Sequence, residues 1–294
     1  MDCQVSLTKS QDSHSGVQKA LEPIIADLKK ALAKTSRVVV KINFVSAYTE
    51  LATTPLESVK AFIDSIQNFY QGEIIVAEEA TLGNSDGGFH RFGFTELSQN
   101  PKVKLLDSVN SPTERATIKY PQGELVLPLA EIYTQSPFIA SICRAKTHDA
   151  VVATLSIKNL LVGAIQQKPF SNRAKIHQGK QIHWILAEIA KHTFPNLAII
   201  DGTVGMEGNG PCSGTPINSG WTIASLDPLA ADSLAAYLMG FKIEDIGYLN
   251  LIREKGLGLL YPKDKIKILG EDPKNLITPY RPHDTFESQR RWKE

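Results

Sequence analysis

Cysteine is scarce: the 294-residue chain has three, at positions 3, 143 and 212, with no Cys-x-x-Cys pair. That spacing argues against a disulfide framework and against zinc-ribbon or ferredoxin-type iron–sulfur sites. Charge of one sign is missing too. Lys+Arg number 32 and Asp+Glu 31, a net charge of +1, which lacks the basic excess that carries nonspecific nucleic-acid binding. No apolar run approaches the ~20 residues that span a bilayer, and the polar start Met1-Asp2-Cys3-Gln4 is unlike a signal peptide. The Walker loop and the His-x-x-x-His pair are absent as well. What remains, 42% hydrophobic and 21% charged residues, is the composition of a globular protein. The expectation is a soluble, cytoplasmic protein with a small-molecule partner, no nucleic acid and no membrane. The sequence is silent on oligomeric state.

The first fifteen residues are polar and are expected to fray. Val17, Leu21, Ile24, Ile25, Leu28 and Leu32 then recur at helical spacing. Arg37 to Asn43 reads as a strand buried on both faces, because its apolar residues run on rather than alternate. Thr54-Pro55-Leu56-Glu57 reads as a helix start, with Thr54 as cap, Pro55 in the first turn and Glu57 placed for a capping box. Glu73–Ala77 follows as another strand. This strand–helix–strand order predicts parallel pairing. Further strands are expected at Val103–Asp107, Ala116–Tyr120, Glu124–Leu127, Phe138–Cys143, Leu197–Asp201, Trp221–Ser225 and Ile266–Leu269. The close spacing of the third and fourth of this series, counting from Glu73, predicts a hairpin and hence a mixed sheet. Helices are expected at Gln181–Lys191 and after Asp227-Pro228. The fold class is therefore α/β, a mostly parallel, mixed sheet flanked by helices. Residues 1–35 form an N-terminal helical extension, 36–272 one α/β unit and 273–294 a tail that wraps the surface.

In open parallel sheets ligands bind beyond the carboxyl ends of strands. Several expected ends are polar, acidic or glycine-rich: Lys41-Ile42-Asn43, Glu78-Glu79, Asp201-Gly202-Thr203 and Ser225-Leu226-Asp227. Lys41 interrupts a run of Val and Ile, where an unpaired ammonium bears a large desolvation cost. It either pairs with Glu78 or Glu79 of a neighbouring strand or binds an anion. Lys146 and His148 follow an apolar strand, and His148 is either a proton-transfer group or a structural histidine. If residues 149–157 form a strand, His148 and Lys158 stand about 30 Å apart. If they form a helix the separation is about 15 Å, and a fold-back could join them.

The stretch Gly205 to Gly210 is either a tight structural loop or a nest of backbone amides for an anion, with Glu207 and Asn209 projecting into it. Gly83–Gly88 reads as a mobile surface loop. Asp201, Glu207, Asp227 and Asp232 with His148 offer donors for a hard cation, but none has a metal-ligand spacing and Asp227 is already explained as a helix cap. His177 and His183, six apart, lie off a common helical face. Cys212 is a weak nucleophile candidate.

Taken in order, Lys41 to Ser46, Ala52 to Pro55, Lys146-Thr147-His148, Thr154 to Leu160, Asp201 to Pro211, Ala224 to Asp232 and Met239-Gly240-Phe241 resemble domain-of-unknown-function family 362 of bacteria and archaea. The resemblance covers residues 37 to 250 and implies an α/β fold without supplying a reaction or a cofactor. Some members append a ferredoxin-like module with clustered cysteines, which are lacking here. Lys41, Asn43, Thr53, Thr54, Lys146, His148, Lys158, Asn159, Glu207, Asn209, Asp227 and Asp232 fall on its motifs. The expected function is an enzyme acting on a small anionic metabolite, a carboxylate or phosphate. His148, Lys146 and Lys158 would be catalytic; Lys41, Asn43, Thr53, Asn159, Glu207, Gly208, Asn209 and Gly210 would bind the ligand. The alternative is a non-catalytic protein that holds a cofactor or metal for a redox partner.

Overall fold

The computed structural model describes residues 3–167, 172–177 and 179–294. Its strands are β1 (Gln4–Lys9), β2 (Arg37–Lys41), β3 (Glu73–Glu78), β4 (Val103–Asp107), β5 (Thr113–Tyr120), β6 (Gly123–Ala130), β7 (Ile139–His148), β8 (Val152–Thr154), β9 (Leu197–Glu207), β10 (Thr215–Ile217), β11 (Trp221–Ser225) and β12 (Lys267–Gly270). Ten of them build one sheet in the order β12–β1–β11–β9–β7–β2–β3–β4, with β8 added to β7 and β10 to β9. The hairpin β5–β6 stands apart from it. From β9 to β4 every neighbouring pair is parallel; β11, β8 and β10 run against their partners.

The helices are α1 (Ser13–Leu21), α2 (Ile25–Leu32), α3 (Leu56–Ile66), α4 (Ser85–Arg91), α5 (Glu131–Thr134), α6 (Ser156–Gly163), α7 (Asn172–Ile176), α8 (Ile182–Ile189), α9 (Pro228–Leu238), α10 (Gly247–Glu254) and α11 (Phe286–Gln289). They cover both faces of the sheet. On one, Val17, Leu28, Val59 and Phe62 of α1 to α3 pack on Val38, Val40, Ile74 and Val76. On the other, Ile157, Ile185 and Leu234 of α6, α8 and α9 pack on Cys143, Ile200 and Ile223. A sheet covered on both faces explains why its strands read as continuous apolar runs.

Strand order decides where a site can form. The chain steps from β2 to β3 to β4 in one direction, while β7 and β9 lie on the other side of β2. Crossovers leave in opposite directions at this point, which opens a crevice at the carboxyl ends of β2 and β7.

Several expectations are corrected. Gln4–Lys9 do not fray but form β1, between β12 and β11; apolar Val5 and Leu7 alternate with polar Ser6 and Thr8, a period-2 signal too short to stand out. The helix expected from Val17 to Leu32 breaks into α1 and α2 across a 3-10 turn at Glu22–Ile24, which contains Pro23. Thr54 does not cap α3: its hydroxyl accepts from Asn43 N and donates to Ile142 O, both 2.8 Å, and Pro55 takes the cap position. Gly87 and Gly88, expected in a loop, lie inside α4, which Asn84 caps. Gly205 belongs to β9, opposite Ile217. Asp227 does cap α9, accepting from Ala230 N.

Candidate active site

The parallel strands bring Lys41, Glu78 and His148 to one edge, at the ends of β2, β3 and β7. They border a cavity of about 570 Å³ over the crevice between β2 and β7. β7 runs five residues past its expected end at Cys143, with a register shift against β9 between Arg144 and Lys146. It then turns back: β8 pairs with β7 (Lys146 opposite Thr154, His148 opposite Val152), and α6 begins at Ser156. The segment 149–157 is thus neither all strand nor all helix, and the fold-back carries Lys158 to His148. Asp232 of α9 fixes the start of α6 by accepting from Ser156 N at 3.0 Å and Ile157 N at 2.9 Å. Burial pushes the Asp232 carboxyl up to about 7, against these bonds.

Lys41 is fully buried. Its Nζ donates to Glu78 Oε2 (2.6 Å), Ile42 O (2.5 Å) and Asn159 Oδ1 (3.2 Å). All three ammonium donors are engaged, so the pairing with β3 accounts for it. Gly163 makes this approach possible, since a Cβ there would lie 2.1 Å from Lys41 Cε. Asn43 Nδ2 donates to Asn159 Oδ1 (3.1 Å), and Asn159 Nδ2 to Ser141 Oγ (3.0 Å). Lys146 Nζ donates to Asn43 Oδ1 and to Ala52 O. Lys41, Asn159, Asn43 and Lys146 therefore form a buried polar chain, of which Lys146 does not reach the cavity wall.

Lys158 differs from Lys41. It is 4% exposed and lines the cavity, yet its one hydrogen-bond partner among the described residues is His148 Nε2, at 2.9 Å. His148 Nδ1 lies 2.8 Å from Asp149 Oδ1. The Ala150 amide also points at Nδ1, 3.0 Å away; as the Nδ1–H tautomer a neutral imidazole donates to Asp149 and accepts from the Lys158 ammonium, at the expense of the Ala150 bond. Burial, and then the Lys158 charge, push His148 well below the ordinary histidine range. Burial acts against the charge on Asp149, but the His148 contact and Lys158 hold it below the usual carboxylate range. Burial brings Lys158 itself down to about 8.

His177 stacks on His148 with ring centroids 5.7 Å apart. Its Nδ1 bonds to Arg173 O at 2.7 Å, and burial lowers it to about 4. Arg173 pairs with Glu79 (3.1 Å) and donates to the carbonyls of Ile165, Glu79 and Gly163. It walls the cavity without offering a free charge. Sequence reasoning missed Arg173, His283, Asp284 and Gln289. The i, i+4 spacing of Arg173 and His177 was an available signal, whereas nothing local marks the tail. Gln289 donates to His148 O and accepts from Val152 N, whose residue has φ +70°. The tail thereby holds the β7–β8 turn.

Other expected residues go elsewhere. Thr53 donates to Glu50 O, accepts from Arg144 Nε at its carbonyl, and borders a different cavity. Glu207 accepts from Arg281 N. Asn209 and Gly210 do line the cavity, but the amides of Gly208 and Gly210 already bond to Arg281 O and Gly208 O. Asn209 Nδ2 donates to Asp284. Asp201 accepts from Ser58 Oγ and Thr203 N, and His183 accepts from Tyr248 N. No group of three or more His, Cys, Asp or Glu that could hold a metal ion occurs among the described residues. The Cys212 thiol, half-buried at the rim, is raised by that burial.

The buried lysines make stability depend on pH. Burial takes Lys146 from 10.5 to about 7 and Lys158 to about 8. Between those values and 10.5 the unfolded chain binds more protons than the folded one, so stability rises with pH in that window and is lost as pH falls through 7. Denaturant midpoints are expected to rise from pH 7 to 9. Lys146→Met should flatten the rise; an unchanged slope in that variant refutes the assignment.

The chain belongs to the family described as Domain of unknown function (DUF362), which matches residues 38–237. It is 25% identical over 240 residues to the thylakoid-associated protein sll1697 of Synechocystis sp., covering 78% of this chain and 72% of that protein. In three dimensions it is similar to the lactate racemase apoprotein from Thermoanaerobacterium thermosaccharolyticum, with a TM-score of 0.52 and 14% identity over 81% of this chain. The match spans 57% of the racemase chain, and at this identity it shows a shared α/β fold. Among the described residues no helix is long and apolar enough to cross a membrane.

Proposed function

We propose that this protein is an enzyme acting on a small anionic metabolite, a carboxylate or phosphate, in which Lys158 draws the anion and His148 moves a proton. The observation that carries this reading is the Lys158 ammonium: nearly buried, facing the cavity, with no carboxylate at ion-pair distance among the described residues and a neutral imidazole as partner. A buried cation without a counter-ion is costly, and an anionic ligand relieves that cost. Lys41, paired with Glu78, forms part of the floor, and Lys146 behind it, bonded to Asn43 and Ala52, adds positive potential. Asn209 and Gly210 border the entrance. The fold shared with a racemase of a small hydroxy acid suits such a ligand. The three free cysteines suit a reducing compartment such as the cytoplasm.

Calorimetric titration with lactate, pyruvate, 2-oxoglutarate and inorganic phosphate at pH 7 and pH 9.5 tests this. At least one should bind at pH 7, and its affinity should fall at pH 9.5, above the value of about 8 at which Lys158 loses its proton. Absence of binding by all four, or equal binding at both pH values, sinks the reading. An organic compound retained through purification and not turned over, seen by native mass spectrometry, would instead favour an accessory protein for a redox partner.

A further inference from the structure

We infer that Lys158 is an amine nucleophile that condenses with the carbonyl group of a 2-oxo acid, with His148 carrying the protons. The inference rests on the anionic-ligand reading above and names its substrate class. Three features of the geometry point this way. Among the described residues Lys158 Nζ has one hydrogen-bond partner, His148 Nε2 at 2.9 Å, and no carboxylate that would hold its proton. Asp149, 2.8 Å from His148 Nδ1, stabilises the imidazolium formed when that proton moves. Thr154, four residues before Lys158 and on the cavity wall, has its Oγ1 buried with no hydrogen-bond partner among the described residues. A buried hydroxyl of this kind is a donor for a ligand oxygen. By contrast, Lys41 is tied to Glu78 and Lys146 lies behind the wall.

The step balances without an outside oxidant or reductant. The Lys158 ammonium gives one proton to His148, and its lone pair attacks the carbonyl carbon. The imidazolium returns that proton to the carbonyl oxygen, giving a carbinolamine. His148 next takes a second proton from the nitrogen and delivers it to the departing hydroxyl, which leaves as water. One ammonium and one ketone become one iminium and one water, with charge unchanged. An iminium acidifies the adjacent C–H. His177 faces the same cavity, and with Nδ1–H donating to Arg173 O it presents an unprotonated Nε2 as the base.

Borohydride trapping tests the inference. Protein is incubated with pyruvate or 2-oxoglutarate and sodium cyanoborohydride, then followed by intact-mass and peptide mass spectrometry. A single reduced adduct on Lys158 is expected, absent in Lys158→Arg and Lys158→Met and formed at least ~100-fold more slowly in His148→Asn, the scale of a positioned acid–base group. Melting curves report whether each variant folds. Adducts scattered over surface lysines and undiminished in the Lys158 variants overturn the inference. So does calorimetric binding of either acid without an adduct, which leaves the anion reading standing. If neither acid binds while lactate or phosphate does, the 2-oxo-acid assignment falls; if none of the four binds, the anion reading falls with it.

Discussion

Lys158→Met is expected to weaken binding of the best anion from the calorimetric series by at least ~30-fold and to leave the melting temperature almost unchanged. Truncating one partner of a buried, hydrogen-bonded charge pair costs about 2–5 kcal/mol, and 2 kcal/mol corresponds to about 30-fold. Stability should hold because, among the described residues, the native Lys158 ammonium has no carboxylate partner to lose, and a methionine fills similar space without the desolvation cost. His148 would exchange one hydrogen bond for the open cavity, a change of about 1 kcal/mol. Titration calorimetry and thermal melting of the two proteins decide the matter. A melting temperature that collapses while affinity stays constant would make Lys158 a structural residue.

Lys41→Met should behave in the opposite way. It leaves Glu78, 3% exposed at its side chain, without its cation, and breaking a buried pair from one side costs about 3–5 kcal/mol. For a chain of this size the melting temperature should drop by roughly 6 °C or more. Glu78→Gln on its own should cost a comparable amount, whereas the double variant Lys41→Met/Glu78→Gln should recover much of the loss, because no uncompensated charge remains. The double-mutant cycle reads this coupling directly. Additive single losses, or a Lys41→Met variant that melts normally and fails to bind anions, would return Lys41 to the role of an anion ligand.

These two lysines show how far the sequence reaches into the site. Both break apolar or helix-starting patterns, and both stand out as polar residues with no local explanation. Their opposite environments are invisible locally, since Glu78 comes from β3 beside β2 and His148 from the end of β7. The fold-back at 149–155 was legible as an ambiguity and no more. Only the pairing of β8 on β7, with Gln289 bridging the turn from the far end of the chain, selects it. Arg173 and the tail residues were missed for the same reason: their partners, among them Glu79 for Arg173 and Asn209 for Asp284, lie far away in sequence.

What the sequence determined by itself was the alternation of apolar strands and amphipathic helices, hence the α/β class, and the presence of polar residues at strand ends. Those follow from periodicity and from capping chemistry, such as Asp227-Pro228 at α9, which act over a few residues. The tertiary structure decided which charges are neutralised. Strand order places Lys41 beside Glu78, Arg173 beside Glu79 and Lys158 beside an imidazole. The Coulombic and desolvation terms that separate a structural lysine from a reactive one depend on distances across the sheet edge, and no local pattern encodes those distances.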